Sequence, residues 1–407
     1  MATNRWRGKA AKVAQVNTIT PANVGIGNTF SVTINEKTIT VTATAGTVAN
    51  VTALLLTALQ ASNDGEFQEI TWADITTAIT GTASIPGKPF TQTSTATGGT
   101  ATNTTAVTTA NVSPSDINNA TNWSDGIPNA ADDVVFDEGD VDALWNLDAL
   151  SAITLTSFTR RRGYTGKIGL PERNTDGTEY YEYRATEFAI SATTMTIEQR
   201  SDDEADQIKV NVGSVQTALH IRGEGAAGQG AETMRWRGTH VSNVVNVQNG
   251  SLSVAPLADT SAAIATLRLE SSTVSLGPTV STLTTINSES SVLDTWSNLV
   301  TLNQKGDGGD TTFRGTVTIT TANIDDGSLN SLSSGTITTL LLGTDAAFNK
   351  LDLQAQTITN AVNIYPGGSI LDPFGVLTLS AGFVPVRAKL SELGAMDFGP
   401  NRTFTVA

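Results

Sequence analysis

Apolar and polar residues alternate along most of this chain, and the alternation predicts short, half-buried strands. Phe30, Val32 and Ile34 alternate with hydroxyl residues, and Ile39 and Val41 do so after Asn35-Glu36-Lys37, which reads as a hairpin. Val13 to Thr20 reads as a strand before it. From Thr47 to Ser62 the period changes: Val48, Val51, Leu55 and Leu59 fall three and four residues apart, and Thr47 is placed to cap a helix. A strand pair is expected around Phe67–Trp72 and Phe90–Thr95, with the Thr-rich run Thr93–Thr109 as a loose edge or linker. From about residue 130 to 400 short alternating runs recur, among them Ile153–Leu155, Ile208–Val212, Leu219–Ile221, Val244–Val247, Leu267–Leu269 and Val376–Leu379. No helical run of similar length interrupts them, and tight Asn-Gly or Asp-Gly hairpin turns are scarce. The pattern predicts a mostly all-β protein: a small α+β N-terminal domain followed by a parallel β-helix with rungs of roughly 20 to 25 residues. The predicted divisions are a basic arm at 1–12, the small domain at 13–112, a linker and solenoid cap at 113–130, and the solenoid at 131–407.

Two segments carry resemblances. The order hairpin, Thr44-Ala45-Gly46, amphipathic helix, strand, Gly87-Lys88-Pro89-Phe90 and strand resembles a small module of bacteriophage structural proteins such as tail-sheath and fibre proteins. It covers Val13 to about Asn111 and departs from the pattern at Glu36, where Gly is common. Residues Asn122-Trp123-Ser124 with Gly126 and Pro128, then Asp132 to Phe136, are similar to the segment that opens many β-solenoid surface proteins, autotransporter passengers and tailspikes included. That resemblance implies Trp123 and Pro128 capping a stack whose first buried strand holds Val134, Val135 and Phe136.

Composition narrows the function classes. The net charge is −15, with 39 acidic against 24 basic residues, so no nucleic-acid partner is expected. Cysteine is absent, which excludes disulfides, thiolate metal sites and a cysteine nucleophile. No apolar stretch follows the basic N-terminal residues, so production in the host cytoplasm without a signal peptide is expected. No stretch reaches about 18 apolar residues, so no membrane insertion is expected.

Little in the chain suggests catalysis. The two histidines, His220 and His240, read as stacking or core polar residues rather than a metal pair. Acidic clusters at Asp132–Asp133, Asp137–Asp142, Asp202–Asp206 and Asp307–Asp310 lack calcium-loop spacing and read as solvated turns. The best carboxylate cluster lies among aromatics: Glu179, Tyr180, Tyr181, Glu182 and Tyr183 are candidate glycan-binding residues, since rings beside carboxylates suit sugars. Arg5, Trp6, Arg7, Lys9 and Lys12 form a basic arm in an acidic chain and are expected to anchor the protein on an acidic neighbour. No cofactor, metal or enzymatic activity is expected.

Taken with the resemblances, these features imply a structural protein of a bacteriophage virion. A capsid-surface decoration or head fibre is the leading reading, held through the N-terminal region against major capsid or tail proteins. A tail fibre or tailspike binding host surface glycan, and a glycan-degrading β-helix depolymerase, are the alternatives. A homotrimer is expected by analogy with phage fibres.

Overall fold

The computed structural model describes residues 2–174, 180–224, 232–258, 260–281, 283–386 and 394–398. The chain is mostly β, and its larger part is a parallel β-solenoid of about 11 turns. One wall is a 15-stranded sheet and a second an 11-stranded sheet. A short third side appears where Ala262–Ala263 pairs with Val280–Ser281. The alternating pattern explains the walls directly. On the larger sheet Phe158, Met195, Leu219, Val245, Leu267 and Ile286 stack in parallel register and are buried. Their polar neighbours face outward and pair between rungs, as Asn287, Asn303 and Asn323 do through side-chain hydrogen bonds of 2.9 Å each. Rungs are less uniform than predicted. Successive partners on this face lie 26 residues apart from His220 to Asn246, 22 to Arg268, but only 16 from Asn287 to Asn303.

The N-terminal residues do not form a free arm. Thr3–Arg5 is a strand, and it pairs in parallel with Asp133–Phe136 as the terminal strand of the larger sheet. The stack therefore begins with residues 3–5, one strand earlier than the resemblance implies. Trp6 follows that strand into the core. It is 1% exposed, lies 5.0 Å from Trp123 and 5.5 Å from Phe136, and its Nε1 donates to Val141 O at 3.0 Å. Arg5 and Arg7 both pair with Asp137. The buried Asn122 staples the segment down: its side-chain oxygen accepts from Ala10 N at 2.8 Å, and its amide nitrogen donates to Ser113 O and Asp116 O.

The small domain is consequently an insertion between the first and second strands of the solenoid. Its two ends are pinned side by side, since Val13 N donates to Val112 O and Val112 N to Val13 O. The hairpin forms as predicted from Thr29–Ile34 and Lys37–Thr42. The helix is Val48–Gln60, capped by Thr47, whose hydroxyl accepts from Asn50 N at 3.3 Å. It buries Val51, Leu55 and Leu59.

The predicted strand pair is rearranged. Ile70–Asp74 pairs with Ile79–Ala83, while Gln92–Thr97 joins the hairpin. Phe67 belongs instead to a one-turn helix, Gly65–Gln68, where its carbonyl accepts from Trp72 Nε1 at 3.1 Å. The Thr-rich run, expected as a loose edge or linker, does form sheet edges, but it is paired rather than loose. Thr102–Thr109 pairs with Val16–Ala22, and hydroxyls bond across the strands, as in Thr18 with Thr108 at 2.9 Å.

Gly81 is closely packed against the apolar core of this domain. A β-carbon there would lie 2.6 Å from Trp72 Cζ3 and 3.0 Å from Ile70 Cγ2. Gly81→Val is expected to cost about 1–3 kcal/mol through overpacking, seen as a lower unfolding transition of this domain in calorimetry.

Candidate functional site

Several sequence-predicted site residues meet where the inserted domain rests on the first solenoid turns. Glu69 stands at the centre, its side chain buried. It accepts a salt bridge from Lys88 Nζ at 2.8 Å and lies 3.6 Å from Arg184. The Asn174 amide and the Tyr180 hydroxyl also donate to it. Arg184 is gripped in turn: its Nε and Nη2 donate to the two oxygens of Glu182 at 2.6 and 2.7 Å, and its Nη1 donates to Pro89 O at 2.8 Å. Its guanidinium lies over Trp145 at 5.0 Å and over Tyr183 at 4.9 Å. Burial raises the pKa values of both tyrosines: Tyr183 is pushed up to about 12, and Tyr180 is held well above the usual phenol range by burial and its bond to Glu69.

This geometry changes the role assigned to the tyrosine–carboxylate segment. Tyr180, Glu182 and Tyr183 form a clasp between the two parts of the chain rather than an open sugar platform. Both Glu182 oxygens are bonded to one guanidinium, an arrangement that positions groups instead of moving protons. Tyr181 alone is well exposed, with Arg173 over its ring at 5.1 Å. Glu179 lies outside the described residues.

The anchoring candidates separate in the same way. Trp6 is part of the core and is unavailable as a knob for another subunit, and Arg5 and Arg7 neutralise Asp137 within the chain. Lys9 and Lys12 remain exposed. The histidines take separate partners: His220 Nδ1 lies 3.2 Å from the Asn246 amide, and His240 Nδ1 accepts from Ser242 N. Of the acidic clusters, the one at 202–206 is not simply a solvated turn, because Asp203 is buried in a two-point pair with Arg160 at 2.7 and 2.8 Å. Among the described residues no group of three or more His, Cys, Asp or Glu is arranged to hold a metal ion.

Beside the clasp a cleft of about 690 Å³ opens between the inserted domain and the solenoid. Lys12, Lys88, Lys167 and Lys209 line it, together with Trp145, Asp142, Asp206 and the inner side of Glu182. Gly169 shapes one wall: its φ is +117°, and a β-carbon there would meet Lys209 Cβ at 2.8 Å and Thr186 O at 2.9 Å. Sequence reasoning missed this cleft, because its lysines and its tryptophan are scattered over nearly 200 positions and no local spacing unites them.

No protein-family model, curated protein or solved structure matches this chain.

Proposed function

We propose that the chain is a non-enzymatic structural component of a bacteriophage particle, a capsid-surface decoration or short head fibre attached through its N-terminal region. The carrying observation is architectural. About 11 stacked turns at the ~4.8 Å strand spacing make a rod roughly 50 Å long, and the inserted domain is clasped to the turns at its N-terminal end. A rod that carries a separate folded domain at one end suits projection from a surface. The phage-type resemblance of that same domain supports the reading, which includes assembly as a homotrimer.

With Trp6 and its flanking arginines committed to the core, the attachment surface moves to the far tip of the inserted domain. Strand Val16–Ala22 runs outward from the neck at Val13, and the turn carrying Ile26 follows it. Ile19 pairs with Ile79, which sets the turn carrying Ile75 at the same end. Ile26 is 76% and Ile75 52% exposed, so two large apolar side chains stand in water far from the solenoid. The double variant Ile26→Asp/Ile75→Asp is expected to fold with unchanged circular dichroism and to be missing from purified particles when they are analysed by mass spectrometry. Wild-type occupancy of that variant would refute attachment through the tip. Absence of the unaltered protein from particles would refute the virion reading itself.

A further inference from the structure

We infer that the cleft between the inserted domain and the first solenoid turns binds an acidic oligosaccharide. The inference goes beyond the structural role and stands whether or not the protein is carried on a particle.

Charge is the first argument. The chain carries −15 overall, yet four of its nine lysines line this one cleft. Two are already committed to carboxylates, Lys88 to Glu69 at 2.8 Å and Lys167 to Glu204 at 2.5 Å. The other two have donors to spare. Lys209 is buried along its stem, donates to Leu170 O at 2.9 Å, and reaches its nearest carboxylate, Asp206, only at 3.9 Å. An ammonium has three donors, and burial without a close partner disfavours its charge. The Lys209 pKa is accordingly lowered, chiefly by burial. An incoming carboxylate would relieve that cost. Lys12 is exposed at the rim and has no ion-pair partner among the described residues.

The cleft also mixes apolar and polar surfaces. Trp145 is half-buried and lines the cleft, with Arg184 packed over its ring. A flat apolar ring set among ammonium donors and carboxylate acceptors fits a sugar, whose C–H face stacks while its hydroxyls both give and accept hydrogen bonds. Asp142 supplies such an acceptor, since among the described residues one of its oxygens is used, by Lys167 N at 2.7 Å. The cleft volume also falls in the roughly 300–1,000 Å³ range of small-molecule sites. An acidic peptide would use the lysines equally well and is separated from a saccharide by the experiment below.

The test uses the intact chain and an array of uronate- and sialate-containing oligosaccharides, each beside its carboxyl methyl ester as a neutral twin. Acidic members should bind, and their esters should bind at least tenfold more weakly in calorimetry. Lys209→Met and Trp145→Ala should each weaken binding at least tenfold, Lys12→Ala about threefold, and the distant Lys305→Ala not at all. Thermal melts accompany each variant. If Trp145→Ala does not fold, the exposed Lys12→Ala and the charge-removing Lys209→Met still decide the matter. No binding of any acidic member, or unchanged binding by both lysine variants, would overturn the inference. Binding of poly-glutamate but no saccharide would also overturn it, in favour of an acidic protein partner.

Discussion

Trp6→Ala should destabilise the N-terminal end of the solenoid by about 3–5 kcal/mol, the range for truncating a fully buried tryptophan. The indole is held on several sides: Trp123 meets it edge-on, Phe136 stacks on it, and Val141 O accepts its N–H. Removing it opens a cavity beside the terminal strand of the larger sheet among the described residues. Denaturant unfolding should show the loss, and hydrogen exchange should place it in the segments around Trp123, Phe136 and Tyr164, which share one aromatic cluster. A variant that unfolds like wild type, with unchanged exchange in those segments, would mean that Trp6 is not the cap of the solenoid.

The second large effect is expected at Arg160. Its position in the register is an inward one, between Phe136 and Ile197, where neighbouring rungs place apolar side chains. The side chain is fully buried, and both terminal nitrogens bond to the buried carboxylate of Asp203. Arg160→Met keeps the bulk but strands that carboxylate, which should cost about 3–5 kcal/mol. The double variant Arg160→Met/Asp203→Leu removes both charges and should recover most of the loss, since apolar replacement of a buried pair is often neutral. A double-mutant cycle by chemical denaturation measures the coupling directly. If the double variant is no better than Arg160→Met alone, the arginine contributes by shape rather than by pairing.

These two residues also mark the boundary of what was legible in the sequence. Alternation located the hairpin and the solenoid strands, and the 3.6-residue period with Thr47 located the helix. All of these rest on neighbours within a few positions. Arg160 defeats that logic, because in an alternating run an arginine reads as outward-facing, and only Asp203 on another rung makes its burial tolerable. Trp6 defeats it too: its partners lie more than 100 residues away, so a basic, aromatic segment reads as a free arm. The pairing of Ile70–Asp74 was missed for a related reason. Phe67 looks like a strand residue by type, but the one-turn helix and the Trp72 contact reassign it. The Thr-rich run read as a loose edge or linker; the edge was legible, but composition does not reveal that its hydroxyls have partners across a sheet. The cleft is the extreme case, with its lysines and indole drawn together only by the topology of the insertion.

The neck formed by Val13 and Val112 has a consequence for the order in which the molecule assembles. Strand Thr3–Arg5 has no sheet partner until Asp133–Phe136 exists. Closing so long an unstructured segment is entropically unfavourable, and the penalty grows with its length. Once the inserted domain has folded, however, its two ends lie side by side. The flexible chain between the strands then shrinks to the few residues before the neck and the short connector after it. The domain thus acts as a splint in time as well as in space: its own folding brings the two strands within reach, and the cap closes after it.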